Sequence, residues 1–129
     1  MDAKGHNTPL SQEECRQLLR GHSLGRVSWA AADGVQVLPV SYVVAEDQIV
    51  FRTAAGSLLS QLVEPHEVGF EIDDLDPATQ TGWSVLVHGR SGAGEQRDGR
   101  LAEPWAPGER AVVVAITPTA YSGRAIAAS

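Results

Sequence analysis

The stretch GRVSWAAADGVQVLPVSYVVAEDQIVFRTA, residues 25–54, decides the architecture. Three runs within it, GRVSWA, VQVLPVSYVV and QIVFRTA, are rich in Val, Ile and aromatic residues, and AADG and AEDQ separate them. Branched and aromatic side chains suit a pleated, half-buried surface, whereas Gly and Asp punctuate turns. Three successive strands are therefore predicted. Pro39 falls inside the second run. Proline cannot donate to a strand ladder, so a bend, a bulge or a free edge is expected there.

Upstream, Ser11 precedes QEECRQLLR with Glu14 three residues on, which is the pattern of a capping box. Cys15, Leu18 and Leu19 give that helix its apolar side, and Gly21 is its expected stop. Residues 1–9 read as a disordered lead-in. Downstream, GSLLSQLVEP reads as one short helix ended by Pro65, EVGFEID as a strand and DDLDPATQTG as a polar loop. WSVLVHGRSGAGE reads as a strand whose glycines predict a bend or turn near 89–94. A loose segment containing EPWAPGER precedes a last strand, AVVVAITPTAYSG. Short strands at this spacing predict a mainly β, antiparallel barrel or sandwich with a few short helices, and not a βαβ sheet. No repeat or linker divides the chain, so residues 10–129 read as one domain.

Composition narrows the function. The chain has 129 residues, enough for a core without disulfide or metal staples. One cysteine and four scattered histidines argue against a disulfide and a zinc site, so no metal is expected. The net charge is −6, with one lysine and nine scattered arginines. A nucleic-acid partner is disfavoured, because phosphate neutralisation needs a basic face. No apolar run reaches the ~18 residues of a membrane helix, and the polar start lacks a secretory signal. The simplest location is the cytoplasm.

Chemistry concentrates in VFRTAAGSLLSQL, residues 50–62. A strand delivers Arg52 and Thr53, small residues turn the chain, and a helix is expected to start near Gly56–Ser57. Backbone N–H groups at a helix start, the Arg52 guanidinium and the Thr53 and Ser57 hydroxyls together suit a phosphate. The competing reading makes Arg52 a solvated strand residue and Ser57 a plain helix cap. Elsewhere the bland readings prevail. Glu71, Asp73, Asp74 and Asp76 lack the glycine and glutamate of a calcium loop. Gly89, Gly92 and Gly94 are not followed by Gly-Lys-Ser/Thr, so they form no Walker loop. His88 reads as a structural or surface residue, and Cys15 as a small buried hydrophobe.

Taken in order, LSQEECRQLL, GRVSW, VLPVSYVV, IVFRTAAGSLLSQL, VGFEID, GWSVLVHG and ITPTAYSGR resemble the FMN-binding split β-barrel superfamily. More narrowly they are similar to its small, actinobacterial, pyridoxamine 5'-phosphate oxidase-like members, over roughly residues 10–126. The resemblance implies a homodimer with FMN at the subunit interface, or a deazaflavin in its place. It makes Pro39, Val40, Ser41 and Tyr42 wall residues beside the ribityl chain and ring. It assigns the phosphate cradle to Arg52, Thr53, Ala54, Gly56, Ser57 and Leu58, and brings Trp83 and Ser84 toward the partner chain's flavin. A core or dimer-packing role for Trp83 stands beside that one. Many relatives carry lysine where this chain has Leu58, which leaves Arg52 as the local cation, with Arg26 or Arg124 as compensating candidates. Two functions follow: a flavin-dependent oxidoreductase acting on a small molecule, or a non-catalytic carrier of flavin, deazaflavin or heme. No acid, base and nucleophile set stands out, but flavin enzymes need few such side chains.

Overall fold

The computed structural model describes residues 5–95 and 112–128. In chain order these form β1 (Gly5–Pro9), α1 (Gln12–Arg20), β2 (Leu24–Ala31), β3 (Gly34–Ser41), β4 (Val43–Ala45), β5 (Gln48–Thr53), a 3₁₀ helix (Leu58–Val63), β6 (Glu67–Asp76), β7 (Thr81–Ala93) and β8 (Val112–Ala128). Every strand pairing is antiparallel, in the order β3-β2-β6-β7-β8-β5-β4, and β1 also pairs with β8.

β8 organises the sheet. Along one edge it pairs with β7. Along the other, Val112–Ile116 hold β5 and Arg124–Ala128 hold β1. Between those two partners Leu10 N–H donates to the Gly123 carbonyl (2.9 Å), and Arg16 of α1 lies 4.9 Å over the Tyr121 ring. The helix thus sits against the stretch of β8 that carries no strand. Its capping box is present: Ser11 Oγ accepts from Glu14 N–H and the Glu14 carboxylate accepts from Ser11 N–H. Those bonds to the charged form hold the Glu14 carboxyl below its usual range.

The core follows the two-residue period of a strand. Val27 of β2, Phe70 of β6 and Val87 of β7 are direct register partners and fully buried. Ile49 and Phe51 of β5, Val114 and Ile116 of β8, and Cys15 and Leu19 of α1 join them. Burial also pushes the Cys15 thiol above its ordinary range, as suits a packed hydrophobe. Tyr42 links the sheet's two ends. β3 stops at Ser41 and β4 begins at Val43, while Tyr42 N–H donates to Ser23 O at 2.9 Å. The same ribbon therefore leaves one edge of the curled sheet and becomes the other, which makes it a split β-barrel.

Several expectations are corrected. Residues 5–9 pair with β8, because β8 runs past β5 and leaves edge groups to be satisfied. The short helix expected before Pro65 is present, as a 3₁₀ helix over Leu58–Val63. The polar stretch after Asp73 prolongs β6 to Asp76. Gly89–Ala93 continue β7, because the irregularity expected there is a β-bulge at His88/Gly89, opposite Pro118. The bulge absorbs Thr119, whose hydroxyl donates to His88 O (3.1 Å). Pro39 lies on edge strand β3, which needs no donor on its free side. The loose segment at 103–110 and residues 1–4 lie outside the described residues. Among the described residues no helix is long and apolar enough to cross a membrane.

Gly82, the second residue of β7, has φ +155°, and a Cβ there would lie 2.8 Å from Leu75 Cα. Gly82→Ala is expected to destabilise the fold by roughly 1–3 kcal/mol, through overpacking against backbone that cannot rotate away. A lowered midpoint with unchanged slope in urea unfolding checks this.

Candidate functional site

β5 ends on Arg52 and Thr53, which point to opposite faces. Thr53 faces the core and is 4% exposed, while Arg52 is half-buried on the outer face opposite Val113. The chain then turns through Ala54, Ala55 and Gly56. Gly56 has φ +79°, and a Cβ built there meets nothing within 4 Å, so the turn is open to an approaching group.

The hydroxyls are arranged differently from the sequence expectation. Ser57 Oγ donates to Ala54 O (2.7 Å) and accepts from Ser60 N–H (3.2 Å). A hydroxyl has one hydrogen, so in the 2.8 Å Thr53–Ser57 contact Thr53 is the donor. Both protons are committed to the turn, and neither is offered to a phosphate. The sequence signal was sound for a cap but could not say what the cap would consume. Arg52 and the exposed main chain at Ala55–Gly56 border the same turn. Leu58 presents a partly exposed apolar side chain beside them.

The compensating arginines stand elsewhere. Arg26 Nη1 lies 2.8 Å from Glu71 and 3.3 Å from Asp73. Arg124 is eleven residues along β8 from Val113, the partner of Arg52, which is roughly 35 Å of extended strand. Neither reaches Arg52 within one chain.

Of the predicted wall residues, Pro39 is exposed, Ser41 half-buried and Val40 buried. Tyr42 is corrected from wall to core. It is 1% exposed, its ring meets Phe70 edge-on at 4.9 Å, and its hydroxyl donates to Leu19 O at 2.6 Å. Burial pushes its phenol far above the usual range. Tyr42→Phe is expected to cost about 1–2 kcal/mol of stability, measured by denaturant unfolding, because the buried Leu19 carbonyl loses its donor.

Trp83 and Ser84 fall on opposite faces of β7 and do not converge. Trp83 packs against the core and meets the ring of His22, with centroids 4.8 Å apart and 64° between planes. Ser84 lies between Asp73 and Arg124 on the outer face. His22 was missed in the sequence; GHSLG at 21–25 reads only as a helix exit. His88 is exposed on the outer side of β7. Among the described residues no group of three or more His, Cys, Asp or Glu is disposed to hold a metal ion.

The order of these elements matches a known family over nearly the whole chain: the model for pyridoxamine 5'-phosphate oxidase matches residues 11–125. The chain belongs to the pyridoxamine 5'-phosphate oxidase family. It is 34% identical to the uncharacterized protein Rv0080 of Mycobacterium tuberculosis, across 92% of this chain and 85% of that one. An FAD binding protein from Mycobacterium smegmatis superposes with a TM-score of 0.73 at 30% identity, covering 93% of this chain and 98% of its own. An FAD-binding protein from Mesorhizobium loti has a TM-score of 0.74, 95% and 98% coverage and 21% identity, a likeness of fold alone.

Proposed function

We propose that this protein binds a flavin nucleotide at the turn after β5, as a cytoplasmic homodimer, and acts as a flavin-dependent oxidoreductase on a small molecule. The observation that carries the reading is the pairing of Arg52 with the open turn at Gly56. A guanidinium supplies charge and a planar donor fork, and the turn admits close backbone approach. A bound flavin supplies hydride and electron transfer, and the protein's part is to hold and orient it. Arg52 and the 54–57 main chain hold the phosphate end, and Pro39, Val40 and Ser41 border the ring. A homodimer is supported by β3, an edge strand that exposes Val35 (74%) and Val37 (57%).

FMN is the simplest ligand. A dinucleotide is the second reading. The name of the M. smegmatis relative agrees with FAD.

Titration of purified apoprotein with FMN, FAD and riboflavin, read by flavin fluorescence, tests the reading. Saturable binding of one nucleotide per chain supports it, and turnover of a reductant supports the enzyme. Tight colour without turnover supports the carrier. Rejection of all three flavins overturns flavin binding and turns the search to deazaflavin or heme. Light scattering that gives a monomer at micromolar concentration overturns the dimer.

A further inference from the structure

Among the described residues two polar side chains are buried, Thr53 and Ser91, each 4% exposed. Burying a hydroxyl costs free energy unless its hydrogen bonds are replaced. Both hydroxyls serve one element, the 3₁₀ helix Leu58–Val63. Thr53 holds its start through the 2.8 Å bond to Ser57, the residue that caps it. Ser91 holds its end.

Ser91 faces inward on β7, in the same alternation as Val85, Val87 and Gly89. Its N–H donates to His66 O (2.9 Å), one pair past Glu67–Arg90, where the β6–β7 register ends. In an antiparallel ladder the return bond runs from that partner's N–H to a main-chain carbonyl. Here the Ser91 hydroxyl accepts from His66 N–H instead, at 3.1 Å, and donates its own hydrogen to Glu64 O, also at 3.1 Å. Glu64 is the C-cap of the 3₁₀ helix, and its N–H donates to Gln61 O at 3.1 Å. His66 Nδ1 lies 2.8 Å from the same Glu64 carbonyl. Leu62, fully buried, ties the middle of the helix to the core. So short a helix fixes several dihedrals for very few bonds and does not hold itself. Secured at both ends, it fixes the chain that leads into it, Ala54–Ser57.

We propose that Ser91 is a positioning residue for the nucleotide: from the far end of the 3₁₀ helix it holds the turn after β5 in the conformation that receives the phosphate. The inference rests on flavin binding at that turn. Ser91 acts through the helix and not by contact with the flavin. Without its hydroxyl, His66 N–H and Glu64 O lose a partner, the end of the helix loosens, and the turn visits other conformations. Apparent affinity falls in proportion to the fraction of chains in the competent state, so a turn competent about a tenth of the time binds about tenfold more weakly.

Fluorescence titration of the native chain and of Ser91→Ala with FMN and with riboflavin tests this. Ser91→Ala is expected to weaken FMN about tenfold and to leave riboflavin unchanged, since riboflavin has no phosphate for the turn to hold. The near-isosteric Ser91→Cys, whose thiol is a weak donor and acceptor, should shift FMN in the same sense, and it decides the matter if the alanine variant does not fold. Hydrogen exchange on the unliganded chain gives a second readout. The Ser60 and Glu64 amides, which close the 3₁₀ helix, should exchange about tenfold faster in the variant, with the Phe70 amide unchanged. Native FMN affinity in the variant, or an equal loss of riboflavin, overturns the role of Ser91 and leaves flavin binding standing. Unchanged exchange at Ser60 and Glu64 overturns the clamp itself. A native chain that binds neither ligand overturns flavin binding, and the nucleotide role of Ser91 with it.

Discussion

Replacing Phe70 by alanine is expected to cost about 3–5 kcal/mol, the range for deleting a buried aromatic ring. Phe70 is fully buried at the centre of the row Val27–Phe70–Val87, so its ring touches both sheet neighbours. It also meets the Tyr42 ring at 4.9 Å and fills the space over Gly25, where a Cβ would lie 2.5 Å from Phe70 Cζ. Collapse into the cavity is restricted, because Tyr42 is anchored by its bond to Leu19 and Gly25 has no side chain to move in. Domains of this size are stable by about 5–15 kcal/mol, so the loss approaches the whole. Guanidinium unfolding should show a large fall in midpoint with little change in slope. A loss below about 1.5 kcal/mol would mean that the Tyr42–Phe70–Gly25 packing does not hold the barrel closed.

That arrangement also marks where the sequence stops being readable. Strand identity was legible because runs rich in Val, Ile and aromatic residues, such as GRVSWA and QIVFRTA, are separated by the turn residues of AADG and AEDQ. The capping box was legible because Ser11 and Glu14 satisfy each other's backbone groups within one turn. Tyr42 was not. Its role is set by partners at positions 19, 23 and 70, and non-local pairings leave no periodic trace. Nor could the sequence show that β8 runs past β5, which is why residues 5–9 read as a lead-in and yet pair with Arg124–Ala128. At the turn after β5 the residue types read correctly as polar and small, but their hydrogens were free only on paper. Ser57 sits where its hydroxyl closes the 3₁₀ turn, and a side chain that caps has nothing left to donate.

This last point concentrates the expected effect of mutation on one side chain. Arg52→Ala should weaken binding of FMN or FAD by about 1.5–3 kcal/mol, the range for hydrogen bonds to charged groups. That is roughly ten- to 150-fold in affinity. Thr53→Val and Ser57→Ala should act mainly on the stability of the turn, since their protons already have acceptors. Riboflavin carries no phosphate, so its affinity should be unchanged by Arg52→Ala, and the comparison separates phosphate recognition from general damage to the fold. The reverse substitution, Leu58→Lys, adds a cation beside the same turn. It should tighten both nucleotides and leave riboflavin unchanged, and the gain should shrink as salt is raised. Equal loss of riboflavin and FMN on Arg52→Ala would place the phosphate away from this turn, and an unmoved FMN affinity in Leu58→Lys would put the phosphate out of reach of position 58.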